Sequence, residues 1–280
     1  MEAGFSGNVG FIGTGTMGSI LIDAFLRART FVPEQVIIHN RTPQKAHVIA
    51  SKHKGITVAV SNIEVARQAE LLFLCVKPME FQKVLDEIAT SLHPSQTVVV
   101  ITSPIQLAHL EAFIPCKLIK FIPSITNLAH SGACLLTYHP RISPAEQENY
   151  QKLFSQIGTP IQIPEAFTRV ASDLSSCGPA FLSQIMEQLA RAAVEVAGIP
   201  RQLADSLVIQ MLEGTTKLLT QEGLTLKEIQ ERVSVPGGIT EQGLNLLAEQ
   251  MDGLFHQLFQ ITHAKFEEDV KNVQAILRNR

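Results

Sequence analysis

Three glycines near the start of the chain have the spacing of a turn that binds phosphate groups. The short apolar segment Val9–Ile12 is typical of a buried strand; the sequence GTGTMG follows at residues 13–18, and a helix-like apolar segment occupies residues 19–26. In such a unit, Gly13 permits the tight turn, Gly15 lets the backbone approach a pyrophosphate, and Gly18 lets the helix pack close to the strand. The amide groups at the helix N-terminus attract the anion. The pattern predicts a dinucleotide site with contacts from Gly13, Gly15, Thr16, Met17 and Gly18; a glycine-rich turn in another α/β unit is the alternative.

The end of the next predicted strand, at residues 35–40, indicates which dinucleotide is bound. An Asp or Glu at this position would accept a hydrogen bond from the ribose 2′-hydroxyl of NAD(H). This chain has Asn40, Arg41 and Thr42 there instead. A cation between two small hydrogen-bonding side chains suits a 2′-phosphate, so the sequence favours NADP(H). An ordinary polar loop between a strand and a helix is the alternative.

A second cation follows the apolar segment at residues 71–76, which is typical of a parallel strand buried on both faces. Pro78 disfavours continuation of the strand, so Lys77 lies at its carboxyl end, on the same sheet edge as the glycine turn. Lys77 either contacts the cofactor phosphates or simply ends the strand.

The remaining strand signals predict the fold of the first part of the chain. Further apolar or β-branched segments lie at residues 56–60, 97–101, 117–122, 134–138 and 159–163, with helical stretches between most of them. This alternation predicts an α/β fold, a Rossmann-type doubly wound and mostly parallel sheet, over residues 1–163. Ligands of such sheets bind outside the carboxyl ends of the strands.

Residues 164–280 change character and predict an all-helical dimerisation and substrate domain. Helical stretches are expected at residues 179–198, 203–219, 226–233, 240–251 and 254–277. The apolar side of the first of these helices is too broad for one partner surface to cover it. We therefore expect a homodimer or a higher homo-oligomer, with a compact monomeric bundle as the alternative.

Two glycine-containing clusters precede predicted helices in this second part, at residues 175–180 and 236–240. Glycine exposes main-chain amides, and a helix N-terminus attracts an anion. Gly237 and Gly238 ahead of Thr240 would suit a small carboxylate, with the Thr240 hydroxyl free to donate or accept a hydrogen bond. Two plain helix N-caps are the alternative.

The composition of the chain limits the kinds of partner that this protein is expected to bind. The net charge is −3, and no long basic run supports binding to nucleic acid or to an anionic membrane surface. No segment approaches the ~20 apolar residues of a membrane span, and no signal sequence is evident, so a cytoplasmic protein is expected. Its 4 cysteines lack paired metal-ligand spacing, so no metal site is predicted. Cys75, inside an apolar run, is expected to be a small buried hydrophobic residue.

Taken together, the motifs resemble the pyrroline-5-carboxylate reductase family over essentially the full length. The matching segments, in order, are residues 11–18, 40–42, 75–78, 122–123, 175–180 and 236–240. The resemblance implies NADPH-dependent reduction of the C=N bond of 1-pyrroline-5-carboxylate, a small cyclic imino acid, to L-proline, and an intertwined C-terminal dimer. Residues 101–104, 121–127 and 169–173 resemble the late-competence-operon branch of the family, the ComER type.

The resemblance also assigns roles to individual residues. Val76 and Pro78 would join Lys77 beside the cofactor, and the substrate would be bound by Ser175, Gly237, Gly238 and Thr240. Thr240 would be the catalytic residue, through a hydrogen bond to the ring nitrogen.

Of the positions that depart from the family pattern, three bear on the activity. Val235 replaces a serine that helps to hold the substrate carboxylate, Ser124 replaces a cofactor-side asparagine, and Ser176 replaces a glycine. Losing one hydrogen bond to a charged group costs about 1.5–3 kcal/mol, so substrate binding is expected to be weakened rather than abolished.

Two other functions compete with this interpretation. A β-hydroxyacid dehydrogenase needs a lysine on the first long helix, and no lysine occurs between Lys152 and Lys217. A catalytically weak or inactive NADP(H)-binding protein, with a regulatory or competence-related role, would share the same scaffold. The altered substrate segment favours that second alternative and Thr240 argues against it, so the adopted prediction is an NADP-dependent oxidoreductase that acts on a C=N bond.

Overall fold

One sheet organises the first part of the chain. In this computed structural model, which describes residues 5–277, eight strands pair in the order β3-β2-β1-β4-β5-β6-β7-β8. They are β1 (Val9–Ile12), β2 (Val36–His39), β3 (Thr57–Val58), β4 (Leu71–Leu74), β5 (Thr97–Val100), β6 (Lys117–Ile122), β7 (Ala133–Tyr138) and β8 (Thr159–Gln162). All neighbours are parallel except β6 and β7. The predicted doubly wound, mostly parallel sheet is confirmed.

Helices connect these strands. They are α1 (Thr16–Arg27), α2 (Pro43–Lys52), α3 (Asn62–Gln68), α4 (Phe81–Ile88), α5 (Leu107–Glu111), α6 (Pro144–Phe154) and α7 (Thr168–Ser172). Helix α6 was not predicted, although its start has a clear signal. Ser143 and Glu146 form a capping box there, and Pro144 occupies the first turn.

Two apolar layers bury the sheet. On one side, Phe11 stacks on Phe73 with ring centroids 4.6 Å apart, and Phe121 stacks on Phe154 at 4.5 Å. On the other side, Leu72 and the neighbouring strands pack against α3 and α4. Burial of both faces explains why the central strands are continuously apolar rather than alternating.

Five of the eight described strands, β2, β3, β4, β5 and β8, end one or two residues earlier than predicted. β4 ends at Leu74, so Cys75, Val76 and Lys77 follow the strand instead of completing it. The prediction that Cys75 belongs to a buried strand is therefore wrong, because Cys75 lies one residue after the end of β4. Burial nevertheless raises the pKa of its thiol, so Cys75 stays protonated.

The later helices are α8 (Gly178–Ala197), α9 (Arg201–Thr220), α10 (Leu226–Val233), α11 (Ile239–Met251) and α12 (Leu254–Leu277). The chain divides into two compact units: Pro179–Ile261 forms one, and the segments before and after it form the other. This division differs from the predicted boundary between residues 163 and 164, because α7 and residues 262–277 belong with the sheet. None of the helices within residues 5–277 is long and apolar enough to cross a membrane.

The segment between α7 and α8 corrects one prediction. Residues Asp173–Cys177 form a π-helical turn that continues α7 into α8. The segment at residues 175–180 is therefore not a loop ahead of a helix N-terminus. Gly178 and Pro179 resemble a helix start, but the wider π turn just before them accommodates a proline that a regular helix interior would reject.

A buried ion pair lies between the sheet and the segment that follows it. Lys120, on β6, is only 2% exposed, and its Nζ lies 2.5 Å from Glu165 Oε1 and 3.2 Å from the Ser103 carbonyl oxygen. Glu165 Oε1 also accepts a hydrogen bond from the Leu107 amide at 3.1 Å. Burial lowers the pKa of Lys120, while the Glu165 carboxylate opposes that shift. Glu165 thus compensates a charge that the core would otherwise leave unpaired.

We expect Glu165→Ala to lower the free energy of unfolding by about 3 kcal/mol, because it leaves a buried ammonium group without its counter-ion. The double variant Lys120→Met/Glu165→Gln should recover most of that loss, since it removes the charge as well. Urea unfolding of both proteins and of the parent measures this difference. A loss below about 1 kcal/mol in Glu165→Ala would contradict the assignment.

Candidate functional site

The carboxyl ends of β1, β2 and β4 form one wall of a cleft with a volume of about 340 Å³. The chain leaves β1 toward β2 on one side and returns to β4 on the other, which makes this the switch point where such sheets bind ligands. Of the predicted cofactor residues, those that line the cleft are Gly13, Gly15, Asn40, Arg41, Thr42, Val76 and Lys77. Thr16, Met17 and Gly18 lie in the first turn of α1, and Pro78 begins a 3-10 turn.

The three glycines of the turn are needed for different physical reasons. A Cβ on Gly18 would lie 2.2 Å from the Gly13 carbonyl oxygen, and one on Gly13 would lie 2.6 Å from the Cys75 carbonyl oxygen. Gly13 also has a φ of +98°, which disfavours any side chain. A Cβ on Gly15 meets nothing within 4 Å among the described residues. Packing therefore requires Gly13 and Gly18, whereas Gly15 opens onto the cleft.

The N-terminus of α1 suits an anion. Gly15 is the N-cap residue, no side chain caps the helix, and its first turn contains no acidic residue. The first amides of a helix have no partner within the helix, and its dipole favours negative charge. The residues present thus fit the pyrophosphate of a dinucleotide.

Asn40 holds together the part of the cleft next to β2. Its Oδ1 accepts a hydrogen bond from the Thr14 amide at 3.0 Å, and its Nδ2 donates to the Thr42 carbonyl oxygen at 3.0 Å. Asn40 therefore ties the glycine turn to the end of β2. The next residue, Arg41, is exposed at the mouth of the cleft, and its Nη1 lies 2.8 Å from Glu80 Oε2.

Several further polar residues, which were not predicted from the sequence, line the same cleft. They are His39, Lys45, Asn62, Glu80, Lys83 and Glu87. His39 Nδ1 lies 2.6 Å from Asn62 Oδ1, and Asn62 Nδ2 donates to Glu87 at 2.6 Å. One signal could have revealed part of this set: Lys77, Glu80 and Lys83 are spaced by three residues, which places them on one face of a helical turn.

Ser175 lies in the π turn, and its hydroxyl donates to the Ala171 carbonyl oxygen at 2.7 Å. The Ser124 hydroxyl donates to the Ser175 carbonyl oxygen at 3.0 Å, and the Ser176 hydroxyl donates to the Pro123 carbonyl oxygen at 2.8 Å. The π turn is thus tied to the segment after β6. Ser124 is buried and occupied by these contacts.

The π turn itself is anchored by a buried carboxylate. Asp173 accepts hydrogen bonds from Arg169 Nη2 at 2.7 Å and Nε at 3.2 Å. It also accepts one from the Thr262 hydroxyl at 2.8 Å. These partners come from α7 and α12, so tertiary contacts support the widened turn.

The second glycine cluster does precede a helix. Gly238 is the N-cap residue of α11, and Gly237 has a φ of +73°. The Gly237 amide donates to Glu241 Oε2 at 2.7 Å, and Thr240 lies in the first turn. This segment belongs to the compact unit Pro179–Ile261, and its sharing of one substrate with Ser175 stays a prediction.

The switch point of the doubly wound sheet brings together a glycine turn, an uncapped helix N-terminus and cations that follow two strands. These features define a dinucleotide-binding domain of the Rossmann type. Comparison with known proteins narrows this class. Residues 8–104 match a family model described as NADP oxidoreductase coenzyme F420-dependent, and residues 165–269 match the model for pyrroline-5-carboxylate reductase dimerisation.

Individual relatives agree with these matches. ComE operon protein 4 of Bacillus subtilis is 38% identical over 95% of this chain and 97% of that protein. The pyrroline-5-carboxylate reductase of Methanosarcina acetivorans is 28% identical over 86% of this chain and 89% of that protein. The chain belongs to the pyrroline-5-carboxylate reductase family, near ComE operon protein 4, and NADP is the cofactor of its class.

A solved structure supports the fold. The pyrroline carboxylate reductase of Plasmodium falciparum, solved with NADP bound, has a TM-score of 0.82 and 23% identity. The match covers 98% of this chain and 99% of that chain. The predicted order of the two parts, a doubly wound sheet followed by a helical dimerisation domain, is confirmed.

We expect Gly15→Ala to weaken NADPH binding at least tenfold while the melting temperature changes by less than about 2 °C, because its Cβ projects into the cleft and not into the protein. Gly18→Ala is the matched variant. It should lower the melting temperature by several degrees as well, since its Cβ would collide with the Gly13 carbonyl oxygen. Calorimetry and thermal unfolding separate the two effects, and equal destabilisation by both variants would contradict the assigned roles.

Proposed function

We propose that this protein is an NADPH-dependent imine reductase that converts 1-pyrroline-5-carboxylate to L-proline. The observation that carries the proposal is Thr240 in the first turn of α11, two residues after the Gly237–Gly238 pair. Relatives named pyrroline-5-carboxylate reductase, including that of Escherichia coli at 28% identity, support the same substrate class.

The reaction asks the protein mainly to position two ligands. NADPH, when bound, supplies a hydride to the imine carbon. The amides at the N-terminus of α1 would hold its pyrophosphate, and Arg41 would hold its 2′-phosphate. Lys77 would contribute positive charge from the segment that follows β4.

On the substrate side, the amides around Gly237 and Gly238 would hold the carboxylate. The Thr240 hydroxyl would hold a hydrogen bond to the ring nitrogen, where a proton is taken up. Such oriented donors stabilise the charge that develops in the transition state without reorganising during the reaction. Ser175 would contribute a hydroxyl oxygen from the π turn.

Two features of the substrate segment support weakened binding. Val235 offers no hydroxyl beside the carboxylate position. The Gly237 amide already donates to the Glu241 carboxylate, so a substrate carboxylate has to compete with an internal one. These features favour the second candidate function, an NADP(H)-binding protein of low or no catalytic activity with a regulatory or competence-related role.

We expect Thr240→Val to lower kcat by about 10–100-fold, while NADPH affinity and melting temperature stay nearly unchanged, because the lost hydrogen bond serves the transition state. NADPH oxidation with 1-pyrroline-5-carboxylate measures this change. Conversely, Val235→Ser should lower the KM for the imino acid, because it restores a donor beside the carboxylate. A parent protein that binds NADPH but reduces no cyclic imino acid would establish the non-catalytic function instead.

We also propose that α8 and α9 build the homodimer interface. Several large apolar side chains of these helices are about half exposed in the single chain: Leu182, Ile185, Leu189, Leu203, Leu207 and Ile209. Exposed apolar side chains concentrated on two helices favour an interaction site, and the matching dimerisation model supports a second copy as the partner.

We expect Met186→Glu to yield aggregated or unfolded protein, because it places a charge in the surface that the second copy covers. Gln188→Glu adds the same charge at a polar position of the same helix and should leave the oligomer intact. Sedimentation velocity at micromolar concentration checks both variants. A stable monomer for the parent protein would refute the interface.

A further inference from the structure

The mouth of the cofactor cleft carries two carboxylates among its cations. The cations are Arg41, Lys45, Lys77 and Lys83, and the carboxylates are Glu80 and Glu87. The two acids are engaged differently. Glu87 accepts a hydrogen bond from the Asn62 amide nitrogen, whereas Glu80 pairs directly with Arg41 at 2.8 Å.

The Arg41–Glu80 pair joins opposite sides of β1. Arg41 follows β2, and Glu80 ends the 3-10 turn Pro78–Glu80 that follows β4. The side chains are 75% and 38% exposed, respectively. An ion pair this exposed is weak, so a ligand can open it.

Glu80 has opposite consequences for the two nicotinamide cofactors. A 2′-phosphate bound at Arg41 would come within a few ångströms of the Glu80 carboxylate, and the two negative charges would repel each other. The unphosphorylated ribose of NADH offers a hydroxyl donor at that place instead. Dinucleotide-binding folds commonly supply its acceptor from an acid at the end of β2, and residues 40–42 contain none.

We propose that Glu80 sets the cofactor preference of this protein. In the free protein it is the counter-ion of Arg41; with NADH it accepts a hydrogen bond from the ribose hydroxyl; with NADPH it opposes the 2′-phosphate. The site therefore binds both cofactors, and its preference for NADPH is smaller than Arg41 alone would give. This inference rests on the proposed role of Arg41 and is independent of whether an imine is reduced.

Titration calorimetry of NADPH and NADH with the full chain and with Glu80→Gln tests the proposal. Glu80→Gln should tighten NADPH binding by about 5–10-fold, because it removes the repulsion, and should weaken NADH binding by about threefold. The gain for NADPH should shrink at high salt, since exposed charges are screened. A ratio of the two affinities that stays within about twofold of the parent would overturn the proposal.

Glu87→Gln is the matched control, because it removes the same charge from the same cleft without touching Arg41. It should leave the affinity ratio unchanged, and an equal shift in both variants would overturn the proposal in favour of a general charge effect. Arg41→Ala tests the phosphate site separately from the role of Glu80. If it weakens NADPH selectively while Glu80→Gln changes nothing, Glu80 has no such role; if it leaves NADPH binding unchanged, the phosphate site itself is wrongly assigned.

Discussion

The close approach of α1 to the end of β1 is the constraint on which the rest of the site depends. The helix begins so near the glycine turn that a single Cβ on Gly18 would lie 2.2 Å from the Gly13 carbonyl oxygen. This contact aims the free amides of α1 at the space outside β1, β2 and β4. Asn40 then fixes the turn to the end of β2, so Gly15 at the N-terminus of α1 and Arg41 line the same cleft.

The interactions that stabilise the sheet are stronger than those between the exposed charges at the cleft mouth. Two apolar layers and the buried Lys120–Glu165 pair hold the sheet, and losing one such element costs several kcal/mol. The charged residues at the cleft mouth are exposed, and a pair such as Arg41–Glu80 contributes only about 0.2–1 kcal/mol to stability. A change at Glu80 can therefore alter the preference for one cofactor without destabilising the sheet that positions this residue.

Features that depend on residues close together in the sequence could be predicted, whereas features that depend on distant residues could not. Continuous apolar strands, the glycine turn and the polar residues 40–42 are local patterns, and each predicted strand is present with small differences at its ends. Glu80 was missed because its importance depends on Arg41, 39 residues away, across β1. The π turn was missed because Asp173 needs Thr262, 89 residues away, to complete its hydrogen bonds. The antiparallel direction of β7 could not be predicted either, because the apolar pattern of a strand is the same in both directions.

The two halves of the proposed reaction rest on different parts of the chain, and this separation bears on function. The cofactor cleft lies within the unit built on the sheet, where Gly13, Gly18 and Asn40 are fixed by packing and hydrogen bonds. The substrate segment around Gly237 lies at a helix N-terminus in the unit Pro179–Ile261, and its amide is already paired with Glu241. Among the described residues, neither residue 235 nor residue 241 is one of those that line the cofactor cleft. NADP(H) binding can therefore persist whether imine reduction is retained, weakened or lost, so cofactor binding by itself is not evidence of catalysis in this branch of the family.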